Sequence, residues 1–188
     1  MKKVVLKRGE ERRIRAGHCW VFSNEIENIG DPFTPGELVD VTTCGGQFLG
    51  RGYINPHSLI AVRLLTRAPE EIGIRFFNER IEAALAYRRM LYPEDRTYRI
   101  VYSESDGLPG LIVDKYEDRL VVQTLTLGMY RHVDLIVETL VQLLKPRGIV
   151  LRNDTSAAEL EGLAPEQRII HGDVNGMVRI EQDGVLFD

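Results

Sequence analysis

Short runs that alternate polar and apolar residues dominate the first third of the chain. Glu37-Leu38-Val39-Asp40-Val41-Thr42 has a period of two, as a half-buried strand does. Lys3 to Leu6, Trp20-Val21-Phe22, Gln47 to Tyr53 and Ile60 to Leu65 read as further strands, and Arg12 to Gly17 as one helical turn. Gly45-Gly46 predicts a two-residue hairpin turn. Strands this short and this closely spaced predict a small β-barrel.

The pattern changes at Ala68-Pro69-Glu70-Glu71. Ile74 to Leu91 carries Ile74, Phe77, Ile81, Leu85, Tyr87, Met90 and Leu91 at helical spacing, with Arg75, Arg80, Arg88 and Arg89 off that face. A second amphipathic helix is predicted over Val133–Leu144, stopped by Pro146 and Gly148. Between them lie a strand at Tyr98–Tyr102, the turn cluster Asp106-Gly107-Leu108-Pro109-Gly110, and strands at Leu111–Val113 and Leu120–Leu125. Ile149–Arg152 follows as a strand and Ser156–Leu163 as a short helix. Val178–Glu181, an Asp183-Gly184 turn and Val185–Phe187 complete the chain as a hairpin. Helices against a mainly antiparallel sheet make an α+β unit. The predicted division is therefore a barrel at 1–68 and an α+β domain at 73–188.

Charge sharpens that division. Residues 1–68 hold 10 Lys and Arg against 7 Asp and Glu, a net +3, whereas residues 69–188 hold 14 against 21, a net −7. An anionic partner would meet the N-terminal part first. A solvated N-terminal arm explains the same charges, because runs of surface charge are common. No apolar run approaches the ~20 residues of a membrane helix, so no membrane partner is expected. Met1 to Lys7 is charged too early for a secretory signal. Two cysteines give no disulfide framework, and a reducing cytoplasm is the expected compartment.

No catalytic constellation is legible. Cys19 adjoins His18, but neighbours on a strand point to opposite faces. The four histidines show no ligand spacing, so no metal site is expected. Neither GxGxxG nor GxxxxGK[ST] occurs, and no cofactor-binding residues are assigned. The RNA-facing candidates are Arg12, Arg13, Arg15 and His18, followed by Arg51, Tyr53 and Asn55. Guanidinium groups contact phosphates, and aromatic or Arg planes stack on unpaired bases. Core packing is the competing reading for Trp20, Phe22 and Tyr53, since aromatics dominate small cores.

The motifs RAGHCWVFSNEI, LGRGYINPHSLIAVRLL, IRFFNERIEAALAYRR, ESDGLPGLIVDKY and RND…LEGL occur here in that order. Together they resemble the front portion of a bacterial family of S-adenosylmethionine-dependent 23S ribosomal-RNA cytosine-C5 methyltransferases. That portion comprises a PUA domain, a small RNA-binding pseudobarrel, and a middle domain. The resemblance covers nearly all 188 residues. It implies that the family's nucleophilic cysteine and cofactor motifs belong to a Rossmann-like domain beyond Leu186-Phe187-Asp188, so no catalytic residue is carried over. Two departures stand out. Cys19 stands where the family usually has proline, which reads as a tolerated swap. Ala158 stands where it usually has arginine, which would remove a cation from a surface near the catalytic domain.

The expected function is recognition and positioning of ribosomal RNA for a methyltransferase, without its catalysis. S-adenosylmethionine is implied for the full-length family only. A stand-alone RNA-binding protein and a protein-binding scaffold are the alternatives. The apolar run Val185-Leu186-Phe187 predicts an exposed edge and self-association through it, as a homodimer or by edge pairing, the alternative being that a strand or helix of the same domain covers the edge.

Overall fold

The structure is a computed structural model that describes residues 1–93, 96–178, 180–182 and 185–187. Its strands form two five-stranded sheets and one two-stranded ribbon.

The N-terminal sheet comprises β1 (Lys2–Val5), β2 (Trp20–Phe22), β3 (Glu37–Thr42), β4 (Phe48–Ile54) and β5 (Ile60–Thr66), in the order β1-β3-β4-β5-β2. The β1–β3 pair is parallel and the other three are antiparallel. The two edges approach each other beyond β1. The Lys7 amide donates to Glu25 O, and the Glu27 amide donates to Val5 O, both at 2.8 Å. The chain from β3 to β4 does not turn on Gly45-Gly46 alone. Thr43 and Gln47 pair across it, leaving the three residues Cys44-Gly45-Gly46 as the loop, with Gly46 at φ +83°. A three-residue hairpin needs that left-handed residue, and glycine adopts it without a Cβ penalty.

Successive side chains on β4 enter different cores, because strand neighbours point to opposite faces. Ile54 joins Val4, Leu6, Ile14, Val21, Val39, Val41 and Val62 inside the N-terminal sheet. Tyr53 points the other way, into the core of the C-terminal half.

The C-terminal sheet runs β10 (Gln167–Gly172), β9 (Gly148–Arg152), β8 (Arg119–Thr124), β7 (Leu111–Tyr116), β6 (Thr97–Tyr102). It is mixed: β8 and β9 are parallel, the other pairs antiparallel. Parallel strands need a crossover, supplied here by α3 (Leu127–Arg131) and α4 (Val133–Leu144). The other helices are α1 (Glu11–Arg15), α2 (Ile74–Leu91) and α5 (Ser156–Leu160). Helix α2 buries Phe76, Phe77, Ile81, Ala84 and Leu85. Its sequence-predicted apolar face is too long, for Tyr87, Met90 and Leu91 are 51%, 70% and 46% exposed. The last turn of α2 instead meets β6 through polar and aromatic groups, Arg88 Nε donating to Arg99 O at 3.1 Å and Tyr92 stacking with Tyr98.

The ribbon pairs β11 (Ile180–Gln182) with β12 (Val185–Phe187), Ile180 opposite Phe187. Arg179 and the predicted Asp183-Gly184 turn lie outside the described residues.

Candidate nucleic-acid interface

Helix α1 is a single turn pinned to the N-terminal sheet by Ile14, which is fully buried. Of its other side chains, Glu11 accepts from the Gly9 amide at 2.9 Å, and the rest are arginines. Arg12 Nε donates to Gly9 O at 3.1 Å, and Arg15 Nη2 donates to Gln47 Oε1 at 2.6 Å. The helix ends at Gly17, whose φ of +109° closes the turn. Arg67, arriving from the end of β5, donates to the carbonyls of Ile14 and His18 there. Cations are favoured at a helix C-terminus, where carbonyls lack partners. All three guanidinium groups are held by neutral oxygens. Among the described residues, none has a carboxylate within ion-pair distance, so position is fixed while charge remains available. His18 is exposed beside them.

Arg13 differs. It pairs with the buried Glu25 at 2.9 Å and stacks over Phe22, 4.8 Å from the ring centre. Glu25 also accepts from the Phe22 amide at 2.8 Å. This arginine locks the segment after β2, and much of its charge is compensated.

Three other sequence candidates lie away from α1. Arg51 is mostly buried and makes a two-point contact with Asp40, at 2.8 and 3.3 Å. Its guanidinium is held above the usual arginine range, first by that hydrogen bond. Tyr53 and Asn55 are 2% and 4% exposed, at the seam between the two sheets, where no base reaches them in this arrangement.

The seam has an apolar and a polar part. Tyr53 Oη donates to Pro109 O at 2.7 Å and accepts from Thr126 Oγ1 at 2.9 Å. Burial pushes the Tyr53 phenol well above its ordinary value, so it is a neutral donor. Asn55 Nδ2 donates to both Glu161 O and Glu161 Oε2, at 3.1 and 3.0 Å. Ser58 Oγ and Arg63 Nη1 reach Glu161 Oε1 at 3.0 and 3.2 Å. Trp20 Nε1 donates to Glu104 Oε1 at 2.8 Å, with Arg63 Nε 4.0 Å from the same oxygen.

Thus Glu104, Thr126 and Glu161, absent from the sequence candidates, hold the seam. Two of them lie within the motifs ESDGLPG and LEGL, and a glutamate inside an otherwise apolar LEGL is a legible sign of a buried partner.

The two departures also find their places. Burial pushes the Cys19 thiol up, and the nearby Glu104 charge adds to it, so this sulfur is not an activated thiolate. Ala158 is not on a surface. It is fully buried on α5, its amide donating to the N-cap Thr155 at 3.3 Å. Nor do three His, Cys, Asp or Glu side chains converge as metal ligands among the described residues. No helix there is long and apolar enough to cross a membrane.

Residues 4–67 match the model of a PUA-like domain. Over 188 residues the chain is 41% identical to the ribosomal RNA large subunit methyltransferase I of Shewanella denitrificans, covering 97% of this chain and 47% of that protein. The protein of the same name from Alteromonas mediterranea is 36% identical over 186 residues, with the same coverage. The chain therefore spans about half the length of the curated relatives it matches. Among solved structures, a putative SAM-dependent methyltransferase from Streptococcus mutans superposes on the whole chain with a TM-score of 0.82, over 48% of its own length. A putative methyltransferase complexed with SAH gives 0.83 over 47%. At 15% identity these likenesses speak for the fold alone.

Proposed function

We propose that this chain is the RNA-recognition and positioning portion of an S-adenosylmethionine-dependent ribosomal-RNA cytosine-C5 methyltransferase. It acts in the cytoplasm, with a PUA-like domain at 1–68 and an α+β domain at 73–188. The observation that carries the reading is the set of fixed but uncompensated guanidinium groups, Arg12, Arg15 and Arg67, on the PUA-like unit. Such groups bind phosphates with little loss of side-chain freedom on binding. His18 lies beside them, and Arg13 contributes by holding the segment they flank. The relatives' names supply the substrate class.

The seam supports the positioning half of the proposal. Asn55, Arg63 and Tyr53 fix the orientation of the α1 surface relative to the C-terminal sheet, so RNA held at one is presented at a set angle to the other. Methyl transfer and S-adenosylmethionine binding belong to the full-length family and are not assigned to residues here.

The test is RNA binding as a function of salt. The chain should bind single-stranded RNA with an affinity that falls as salt rises. Replacing Arg12 and Arg15 with Ala should flatten the slope by about 0.7 for each phosphate no longer neutralised. Salt-independent binding, or a slope untouched by these changes, would defeat the proposal. Calorimetry with S-adenosylmethionine should show no binding to this chain. The scaffold alternative predicts no RNA affinity at all.

A further inference from the structure

We infer that the C-terminal half carries a second contact for single-stranded RNA, in the groove between α2 and the turn at 103–107. The inference rests on the RNA-binding reading above but concerns a different surface. The groove has a volume of about 620 Å³, and its lining includes Arg80, Tyr87, Arg88, Ser105, Asp106 and Gly107.

Each wall is suited to one part of a nucleotide. Tyr87 is 51% exposed, and the Arg88 guanidinium lies 5.2 Å from its ring centre. A ring backed by a cation and open to solvent is a stacking platform, and stacking accepts any base because every base has a π-face. Arg88 is itself fixed by Asp106, at 3.0 and 2.6 Å. The Asp106 carboxylate also accepts from the Tyr102 amide at 2.6 Å, so its charge is spent. Arg80 remains. Its guanidinium stacks over Phe76, 5.2 Å from the ring centre, and lies against Gly107; among the described residues it has no carboxylate within ion-pair distance. The groove thus presents one uncompensated guanidinium beside one open aromatic face, within a half of the chain whose net charge is −7. A base on Tyr87 with its phosphate at Arg80 satisfies both.

A second ring continues the surface. Arg88 Nε donates to Arg99 O at 3.1 Å, and Arg99 stacks over Tyr102, 5.1 Å from the ring centre. Tyr102 is 52% exposed. Two open rings joined through arginines can accept successive bases. A protein partner would use the exposed Met90 and Leu91 instead, but these do not line the groove.

The experiment measures binding of the 188-residue chain to an RNA oligonucleotide of about 16 nucleotides containing 2-aminopurine, whose fluorescence reports stacking. Tyr87→Ala should weaken binding roughly 5- to 150-fold and reduce the stacking signal, from the usual contribution of one stacked base. Tyr87→Phe should restore both. Arg80→Gln should flatten the salt slope by about 0.7. Tyr87 and Arg80 stand outside the buried core, and melting curves of the variants should match the parent. Parent-like binding by Tyr87→Ala and Arg80→Gln, with Arg12 and Arg15 still required, overturns this site and leaves the α1 reading intact. Absence of salt-dependent RNA binding by the parent overturns both. A changed sedimentation coefficient with unchanged RNA affinity would make the surface a protein contact and also overturn the inference.

Discussion

Gly128 lies flat against the ring of Tyr53, so that a Cβ added to it would sit 2.0 Å from the ring's Cγ. One residue belongs to the N-terminal sheet and the other to the first turn of α3, and the missing side chain lets them touch. The Tyr53 ring cannot withdraw, because its hydroxyl is held by Pro109 and Thr126. Gly128→Ala should therefore destabilise the protein by about 1–3 kcal/mol through overpacking. Urea unfolding checks this, and an unchanged midpoint would show that α3 moves freely.

Tyr53→Phe keeps the ring and removes the hydroxyl. The Pro109 carbonyl and the Thr126 hydroxyl then lose a buried partner, which costs about 1–2 kcal/mol. The expected readout is a lower denaturation midpoint with no change in the RNA salt slope, since Tyr53 does not reach solvent.

Arg13 and its neighbours should separate cleanly. Arg12→Ala and Arg15→Ala act on RNA affinity, whereas Arg13→Ala leaves Glu25, 6% exposed, without its cation. Because Arg13 itself is 41% exposed, solvent screens the pair, and a loss of about 1 kcal/mol is expected. Thermal melts and salt titrations on the three single variants check it. Equal effects of all three on RNA binding would contradict this division of labour.

Breaking the seam at its charged end should cost more. Arg63→Met leaves Glu161 buried without a cation, an effect of about 3 kcal/mol. Pairing it with Glu161→Gln should recover part of the loss, and a double-mutant cycle measures the coupling. Strict additivity would mean that the two residues are not energetically linked.

Acid should loosen the start of the chain. Partial burial alone raises the Glu37 carboxyl, but the Lys2 hydrogen bond and the Thr34 amide outweigh it and hold the group below its ordinary value. A carboxylate depressed in the folded state contributes stability above its unfolded pKa, and loses it as pH falls through the folded one. Glu37→Gln should thus narrow the stability difference between neutral pH and about pH 3. A parent-like pH profile in this variant would remove Glu37 from the account.

Self-association remains an expectation for the terminal ribbon, where Val185 and Leu186 are 54% and 61% exposed. Sedimentation of the chain beside Val185→Lys/Leu186→Lys tests it. Identical monomers at ~100 μM, far above the range where a 1 μM association saturates, would rule it out.

Most elements are legible in the sequence because each has a local cause. Helix α4 runs over Val133–Leu144 as its 3.6-residue period and Pro146 dictate, and the period-two run Glu37–Thr42 is β3 to the residue. Strand β10 is not legible. Gln167–Gly172 lies at the sheet edge with mostly exposed side chains, so it carries no apolar alternation. Helix α3 is equally silent, for five residues are too few to show a period. At the site, α1 is legible as a cluster of arginines. Arg67 is not, because it reaches α1 from 53 residues away, and a sequence pattern does not record that return. Tyr53 and Asn55 mislead for the same reason. Their partners lie in Pro109, Thr126 and Glu161, and an aromatic or amide that faces a second sheet looks from sequence like one that faces solvent.

The Asn55–Glu161 hydrogen bonds span 106 positions, and this sets an order of events during translation. The strands of the N-terminal sheet are complete by Thr66, so this unit can begin to fold while the rest is still being synthesised. Its far wall must wait. Asn55 and Ser58 wait for Glu161, whereas the hydroxyl of Tyr53 waits only for Pro109 and Thr126. A nascent chain that folds in this order would have α1 formed while its angle to the second half is still unset. The orientation of α1 is thus fixed by residues made long after the sheet that carries it.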